Sequence, residues 1–237
     1  MRKDWDDRAR KNARFYICTD IPSGDEEFFA SGRADFEQLI LPSLASHGFD
    51  PSGKVALEIG CGIGRMTRWA AERFEEVIGM DVSEEMVKIA RQYGWPGARF
   101  VKGSGSDLVG IADASIDFVY SYIVFQHIPD RSVILGYIGE IGRVLRPAGL
   151  YCIHVNGLPY LRIGEVLLEG YVSHSPRLRR LGLRALPFLR RRRLGTWSGH
   201  PVSVGDIEKT SGRVKLEVLK VRGRWTDDMW VIGRKKG

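Results

Sequence analysis

Two carboxylates and three glycines lie where a ligand-binding loop would need them. Glu58 ends the apolar run VALEI (55–59), and glycines follow at 60, 62 and 64. Asp81 ends the next apolar run, VIGMD (77–81), 23 residues beyond Glu58. Glycine suits such a loop because only a residue without a Cβ lets the backbone turn sharply and approach a ligand closely. A carboxylate at the end of the second strand is placed to accept hydrogen bonds from both hydroxyls of a ribose. A dinucleotide site is the main competing reading. Its glycines are spaced G-x-G-x-x-G, which puts the third at Arg65, and an arginine there would crowd a pyrophosphate. Farther on, His127 is a candidate general base, since an imidazole titrates near neutrality. A loop-ordering role is its alternative. His154 and Asn156 are candidate pocket residues at the end of another apolar run, and Tyr16, Trp197 and His200 are candidate walls. No spacing of Cys, His, Asp or Glu suggests a metal site. Asp117 reads as structural, facing away from the ligand end.

These residues need a scaffold, and the surrounding pattern supplies one. Short apolar runs at 55–59, 77–81, 98–103, 116–125 and 150–155 read as strands separated by helical stretches. Runs without strict alternation are expected in a parallel sheet covered on both faces, so the fold class is α/β. Residues 4–15 read as a helix with acidic residues early and basic ones late. Further helices are expected from Ser23, over 32–46, from the glycine loop through Phe74, from the cap Ser83 to Tyr93, and from Asp130 to a stop before Pro147. Ser203 and Asp206 form an acidic variant of the capping box. Strands at 214–222 and 229–234 close the chain.

In order, several of these segments resemble the motifs of class I S-adenosylmethionine-dependent methyltransferases. LEIGCGIGRMT is similar to the family's first motif, GMDVSEEMV (79–87) to the second-strand motif, and GSGSDL (103–108) to the segment beside the adenine. DFVYSYIVFQHIPD (117–130) is similar to the fourth strand and the loop beside the methyl donor. RVLRPAGLY (143–151) is similar to the turn into the fifth strand, with Ala148-Gly149 in place of the usual pair of glycines. The resemblance implies a Rossmann-like seven-stranded sheet of order 3-2-1-4-5-7-6. It also implies S-adenosylmethionine as cofactor, S-adenosylhomocysteine as its product, and cofactor contacts from Glu58, Gly60, Cys61, Gly62, Gly64, Asp81, Val82, Met86, Ser106, Asp107, Leu108 and Tyr122. The chain then divides into an N-terminal helical cap (1–50), a cofactor-binding core (51–156), a basic lid or acceptor insertion (157–200) and a C-terminal helix with a strand pair (201–237). The expected activity is methyl transfer to oxygen, nitrogen or carbon of a small molecule. RNA or protein methylation, and a cofactor-binding protein without catalysis, are the alternatives.

Charge and composition set the remaining bounds. The net charge is +7, but residues 177–193 alone hold eight arginines and no acid. The chain is thus not basic overall, and a stable nucleic-acid partner is not expected. The arginine segment reads as a solvated helical hairpin, as a dock for an anionic acceptor or acyl carrier, or as a peripheral contact with a membrane surface or RNA. Cys18, Cys61 and Cys152 read as free thiols of a cytoplasmic protein, and no apolar run has the roughly 20 residues of a bilayer span.

Overall fold

The computed structural model describes residues 1–19, 24–157 and 199–237. The arginine segment 177–193 and Trp197 lie outside the described residues. Seven strands form one sheet of order β3-β2-β1-β4-β5-β7-β6. They are β1 (Val55–Ile59), β2 (Glu76–Asp81), β3 (Ala98–Lys102), β4 (Ile116–Ser121), β5 (Leu145–Val155), β6 (Leu216–Arg222) and β7 (Met229–Lys235). The first five are parallel, and β7 enters antiparallel between β5 and β6. The order is the one the resemblance implied.

Period-two alternation divides each central strand between two cores. Leu57, Ile59, Val119, Ile153 and Val231 face α6 (Arg131–Val144) and α7 (Val204–Arg213), packing with Ile134, Ile138, Ile141 and Ile207. Ala56, Phe118, Tyr120, Leu150, Cys152 and Trp230 face the opposite way. They meet Phe36, Ile40, Leu44, Met66 and Phe74. Each fully buried Ile or Leu side chain contributes about 1.5–3 kcal/mol over an exposed one. Asp117 is structural: its carboxylate accepts from the Val55 amide and pairs with Arg146, tying β1, β4 and β5 at their amino ends.

The helices follow their caps with three departures from the sequence reading. Ser83 accepts from the Met86 amide at the start of α5 (Glu84–Gln92), Asp130 caps α6, and Ser203 with Asp206 makes a full capping box on α7. The helix expected over 32–46 instead forms the end of a longer run. It comprises α2 (Asp25–Asp35), a π-helical turn (Phe36–Ile40) and α3 (Leu41–Ala45). Pro42 explains the wide turn, because proline has no N–H to give and its ring would strike the carbonyl one α-turn back. The helix expected from the glycine loop through Phe74 is regular only over α4 (Thr67–Ala70). Around it the backbone bonds alternate between three- and four-residue spacing, and Gly64 at φ +85° cannot be helical. Finally, β5 begins at Leu145 rather than 150, with a bulge between Ile116 and Phe118 on its partner. Ala148 there sits at φ +66°, a left-handed position where the family's glycine would be unstrained.

Candidate active site

The direction of the sheet connections reverses between β1 and β4. Such a switch point opens a crevice at the carboxyl ends of the strands. A cleft lies there, holding about 990 Å³ counted out to solvent. Its floor is the loop after β1. Gly60 and Gly62 take φ of +78° and +55°, conformations that side-chain-bearing residues rarely adopt. The space above them is also committed. A Cβ on Gly60 would strike Val124, and one on Gly62 would come within 2.7 Å of Ile17.

Two carboxylates flank the loop. Asp81 leaves the end of β2, where its Oδ2 accepts from the Gly62 amide at 2.9 Å and its Oδ1 from the Ser83 amide at 2.8 Å. Burial raises its pKa, while those amide bonds oppose the rise. Each oxygen keeps a second lone pair for a ligand hydroxyl. Glu58 is paired in register with Tyr120 across β1 and β4. Its Oε2 accepts from the Tyr120 hydroxyl at 2.9 Å and from the Thr67 hydroxyl. Burial pushes the Glu58 carboxyl up to about 7 against those two bonds and the nearby Arg65.

The walls come from distant parts of the chain. Met1, Trp5, Tyr16 and Ile17 of the N-terminal segment cover one side. The first helix, α1 (Arg2–Ile17), breaks helical geometry at Asn12 and is fastened to α5. Its Asp6 accepts from the Ser83 hydroxyl and the Glu85 amide, and Arg10 pairs with Glu85. Trp5 stands edge-on to His127, with ring centres 5.5 Å apart. On the other side the chain leaves β4 through Ile123 at φ +55°. A β-branched residue there is strained, and that strain belongs to a turn that brings Tyr122, Val124 and His127 all to the cleft. Arg65 also lines the cleft, but its guanidinium is turned under α2, on Asp35 at 2.7 Å and Ser31 at 3.0 Å.

Of the expected cofactor contacts, Glu58, Gly60, Cys61, Gly62, Asp81, Val82, Met86 and Tyr122 line the cleft, as do His127 and Tyr16. Gly64, Ser106, Asp107 and Leu108 do not. Gly64 turns toward Trp95 and Phe100, and Leu108 is fully buried in the core. The Asp107 carboxylate is occupied within its own loop, accepting from the Ser104 hydroxyl at 2.7 Å and the Val109 amide. His154 is buried beside Tyr122 rather than in the lining, and His200 bonds the Pro201 carbonyl. Asn156 accepts from the Val202 amide through its backbone oxygen. Trp5 and Ile17 belong to WDDRARKNARFYI, a stretch similar to N-terminal helices that cover the cofactor in some family members, and Ile123 and Val124 to the loop after the fourth strand; the sequence pointed to both segments without singling out these four residues, and it missed Met1.

Residues 57–153 match a family model described as a methyltransferase domain. The ubiquinone biosynthesis O-methyltransferase of Idiomarina loihiensis is 31% identical over 41% of this chain and 40% of its own length. The trans-aconitate 2-methyltransferase of Deinococcus radiodurans is 34% identical over 42% of this chain and 36% of its own. The fatty-acid O-methyltransferase of Mycolicibacterium smegmatis is 30% identical over 59% and 49%. The chain thus spans less than half the length of the curated relatives it matches. Among solved structures, magnesium protoporphyrin IX methyltransferase from Synechocystis PCC 6803 aligns over 99% of this chain and 97% of its own, with TM-score 0.66 and 16% identity. A sarcosine dimethylglycine methyltransferase from Galdieria sulphuraria aligns over 98% and 99%, with TM-score 0.65 and 18% identity. The matched span, the strand order and the glycine loop agree: residues 57–153 match a methyltransferase domain, set in the fold that these solved methyltransferases share.

Proposed function

We propose that the chain transfers a methyl group from S-adenosylmethionine to a small-molecule acceptor. The observation that carries this reading is the Asp81 carboxylate, fixed by two backbone amides beside a glycine floor that leaves no room for a Cβ. The residues present fit the cofactor. Gly60 and Gly62 let its chain lie against the backbone, and Asp81 offers lone pairs to the ribose hydroxyls. Glu58 and Asp81 place negative charge where a sulfonium and an ammonium must be accommodated. The cofactor, when bound, supplies an electrophilic methyl on a positively charged sulfur.

The protein's part is then positioning. A reacting atom held about 3 Å from its target gains most of the acceleration by proximity. Tyr122, Val124 and His127, on the strained turn after β4, form the wall on which an acceptor is held, and Trp5 and Tyr16 exclude water from above. Methyl acceptors that are already anionic, such as carboxylates, need no base, whereas hydroxyl acceptors do. The named relatives include a fatty-acid O-methyltransferase and a ubiquinone biosynthesis O-methyltransferase. The structure of the Synechocystis neighbour, which holds SAH, supports the choice of cofactor.

Thermal unfolding with S-adenosylmethionine, S-adenosylhomocysteine or NAD tests the proposal. A ligand of the native state at a hundred times its Kd stabilises by about 2.7 kcal/mol, a rise of several degrees in Tm. The two adenosyl ligands are expected to give that rise and NAD none. A rise with NAD alone, or with none of the three, overturns the reading.

A further inference from the structure

The cleft does not stop at Asp81. Val82 after β2, Gly103 and Gly105 after β3, Ile128 after β4 and Tyr137 of α6 also line it. A Cβ on Gly105 would come within 2.7 Å of Val82, so bare backbone forms the surface there. The loop after β3 is tied to α6. The Leu108 amide donates to Glu140 at 3.1 Å, and Arg143 donates to the Leu108 carbonyl at 3.1 Å. Tyr137 lies one turn before Glu140 on that helix. It is 5% exposed, and its ring meets Phe125 edge-on with centres 5.5 Å apart. Among the described residues its hydroxyl has no hydrogen-bond partner. The charges that bear on that hydroxyl are the Asp107 and Asp81 carboxylates, which puts it at the Asp81 end of the cleft. A tyrosine this buried ordinarily finds a partner for its hydroxyl.

From this arrangement, and resting on the reading of the cleft as an S-adenosylmethionine site, we infer that Tyr137 reads the purine of the methyl donor, donating its hydroxyl hydrogen to a ring nitrogen of the base. A purine is flat, apolar on its faces and polar along its edge. Val82 and Ile128 supply apolar walls, the glycine backbone lets a ring lie close, and one hydroxyl is left for the edge. With the ribose on Asp81, the base bonded to that sugar has to lie in the neighbouring part of the cleft. Tyr137 is near enough to Asp81 to feel its charge. Asp107 lies outside the lining, so the side-chain contact from this end falls to Tyr137.

The hydroxyl is a donor at every working pH. Burial, helped by the Asp107 and Asp81 carboxylates, pushes the phenol above its ordinary pKa, so it keeps its proton. A ring nitrogen of adenine is an acceptor and matches it. A base with C–H in place of that nitrogen leaves the hydroxyl buried and unpaired, which is the asymmetry that gives a hydrogen-bonding site its selectivity. The role is positioning and specificity. The purine is the end of the donor remote from the methyl group, so Tyr137 acts on binding and touches no reacting atom.

The test is calorimetry on the full chain and on Tyr137→Phe, which keeps the ring against Phe125 and removes only the oxygen. S-adenosylhomocysteine is expected to bind the variant about five- to tenfold more weakly, the effect of one neutral hydrogen bond. 5′-Methylthioadenosine keeps the purine and ribose and lacks the amino-acid end, and it should lose the same factor. The 1-, 3- and 7-deaza analogues of S-adenosylhomocysteine locate the contact. One of them should bind wild type more weakly by that factor and bind wild type and Tyr137→Phe equally, because the deleted nitrogen and the deleted hydroxyl are partners. A packing role would weaken all three analogues in the variant alike, and that result overturns the inference. So does equal affinity of the two proteins for S-adenosylhomocysteine, or a loss that methylthioadenosine does not share. Wild type alone decides it as well: indifference to all three nitrogen deletions leaves no purine nitrogen for Tyr137 to read. The two readings fail differently. Wild type that binds neither S-adenosylmethionine nor S-adenosylhomocysteine defeats the function proposed above and this inference with it. Wild type that binds both, with Tyr137→Phe binding them equally, defeats this inference alone.

Discussion

Glu58 ties the chemistry of the cleft to the stability of the fold, and Glu58→Gln reads the link. Burial displaces its carboxyl from the ordinary 4.5 to about 7. Each pH unit between those values is worth ~1.36 kcal/mol, so the displacement amounts to about 3 kcal/mol. The sign follows from the direction. A carboxyl whose pKa is raised on folding binds its proton more tightly in the native state. Its contribution is fully present below pH 4.5 and is lost as pH rises through 7. Glutamine does not titrate, and its amide oxygen still accepts from Thr67 and Tyr120. The stability of the variant minus that of wild type should therefore climb by about 3 kcal/mol between pH 4.5 and 8. Every other titrating group cancels in that difference. Urea unfolding of both proteins at four pH values measures it. Parallel profiles would refute the reasoning and show that the Thr67 and Tyr120 bonds keep Glu58 ionised throughout. The same site predicts a ligand effect. A cation bound in the cleft favours the ionised carboxylate, so S-adenosylmethionine binding should release protons near pH 6.5 and Glu58→Gln should not. Calorimetry in two buffers of different ionisation enthalpy counts them.

Three further outcomes follow from the geometry. Asp81→Ala removes the acceptor fixed by the Gly62 and Ser83 amides. It should weaken S-adenosylmethionine by a hundredfold or more in calorimetry, with unfolding in urea still cooperative; unchanged affinity would take Asp81 out of the site. His127→Ala removes the edge contact that seats Trp5 over the cleft. It should raise the Kd for S-adenosylmethionine while lowering kcat less than tenfold, and a loss of a hundredfold in kcat would make His127 the base instead. Ala148→Gly relieves a left-handed alanine, a strain of about 1–2 kcal/mol, against roughly 0.5–1 kcal/mol of added chain entropy. The net gain of about 0.5–1 kcal/mol should raise Tm by ~2 °C, and a fall would show that the Ala148 methyl packs usefully.

The cofactor end of the cleft could be read in the sequence because backbone conformation dictates residue type there. A loop that must pass through φ > 0 twice within three residues requires glycines, and fixed strand lengths put Asp81 in register with them. Caps were legible for the same reason: Ser83, Asp130 and Ser203 satisfy backbone amides only a residue or three away. Departures arose where one local signal was overridden by another. Pro42 sits inside a run whose apolar spacing is helical, and the chain accommodates it by widening a turn rather than ending the helix. Asp107 has the residue type and position of an adenine contact, and its Oδ1 is bound within its own loop by Ser104, three residues earlier, and by the Val109 amide.

The acceptor end was legible only in part, through Tyr16 and His127, for a reason that also bears on how the protein selects its substrate. Its walls are Trp5 and Tyr16 from one end of the chain and Tyr122 from the middle, backed by the buried His154 of β5. None of these is related to another by a period. They meet only because β7 is inserted antiparallel beside β5, setting His154 opposite Trp230, and because Ile123 holds a strained turn after β4. Cofactor contacts made by the backbone tolerate little change in the residues that make them. Contacts assembled from side chains of separate segments can each be exchanged without disturbing the sheet. A scaffold built this way keeps one methyl donor while its acceptor varies.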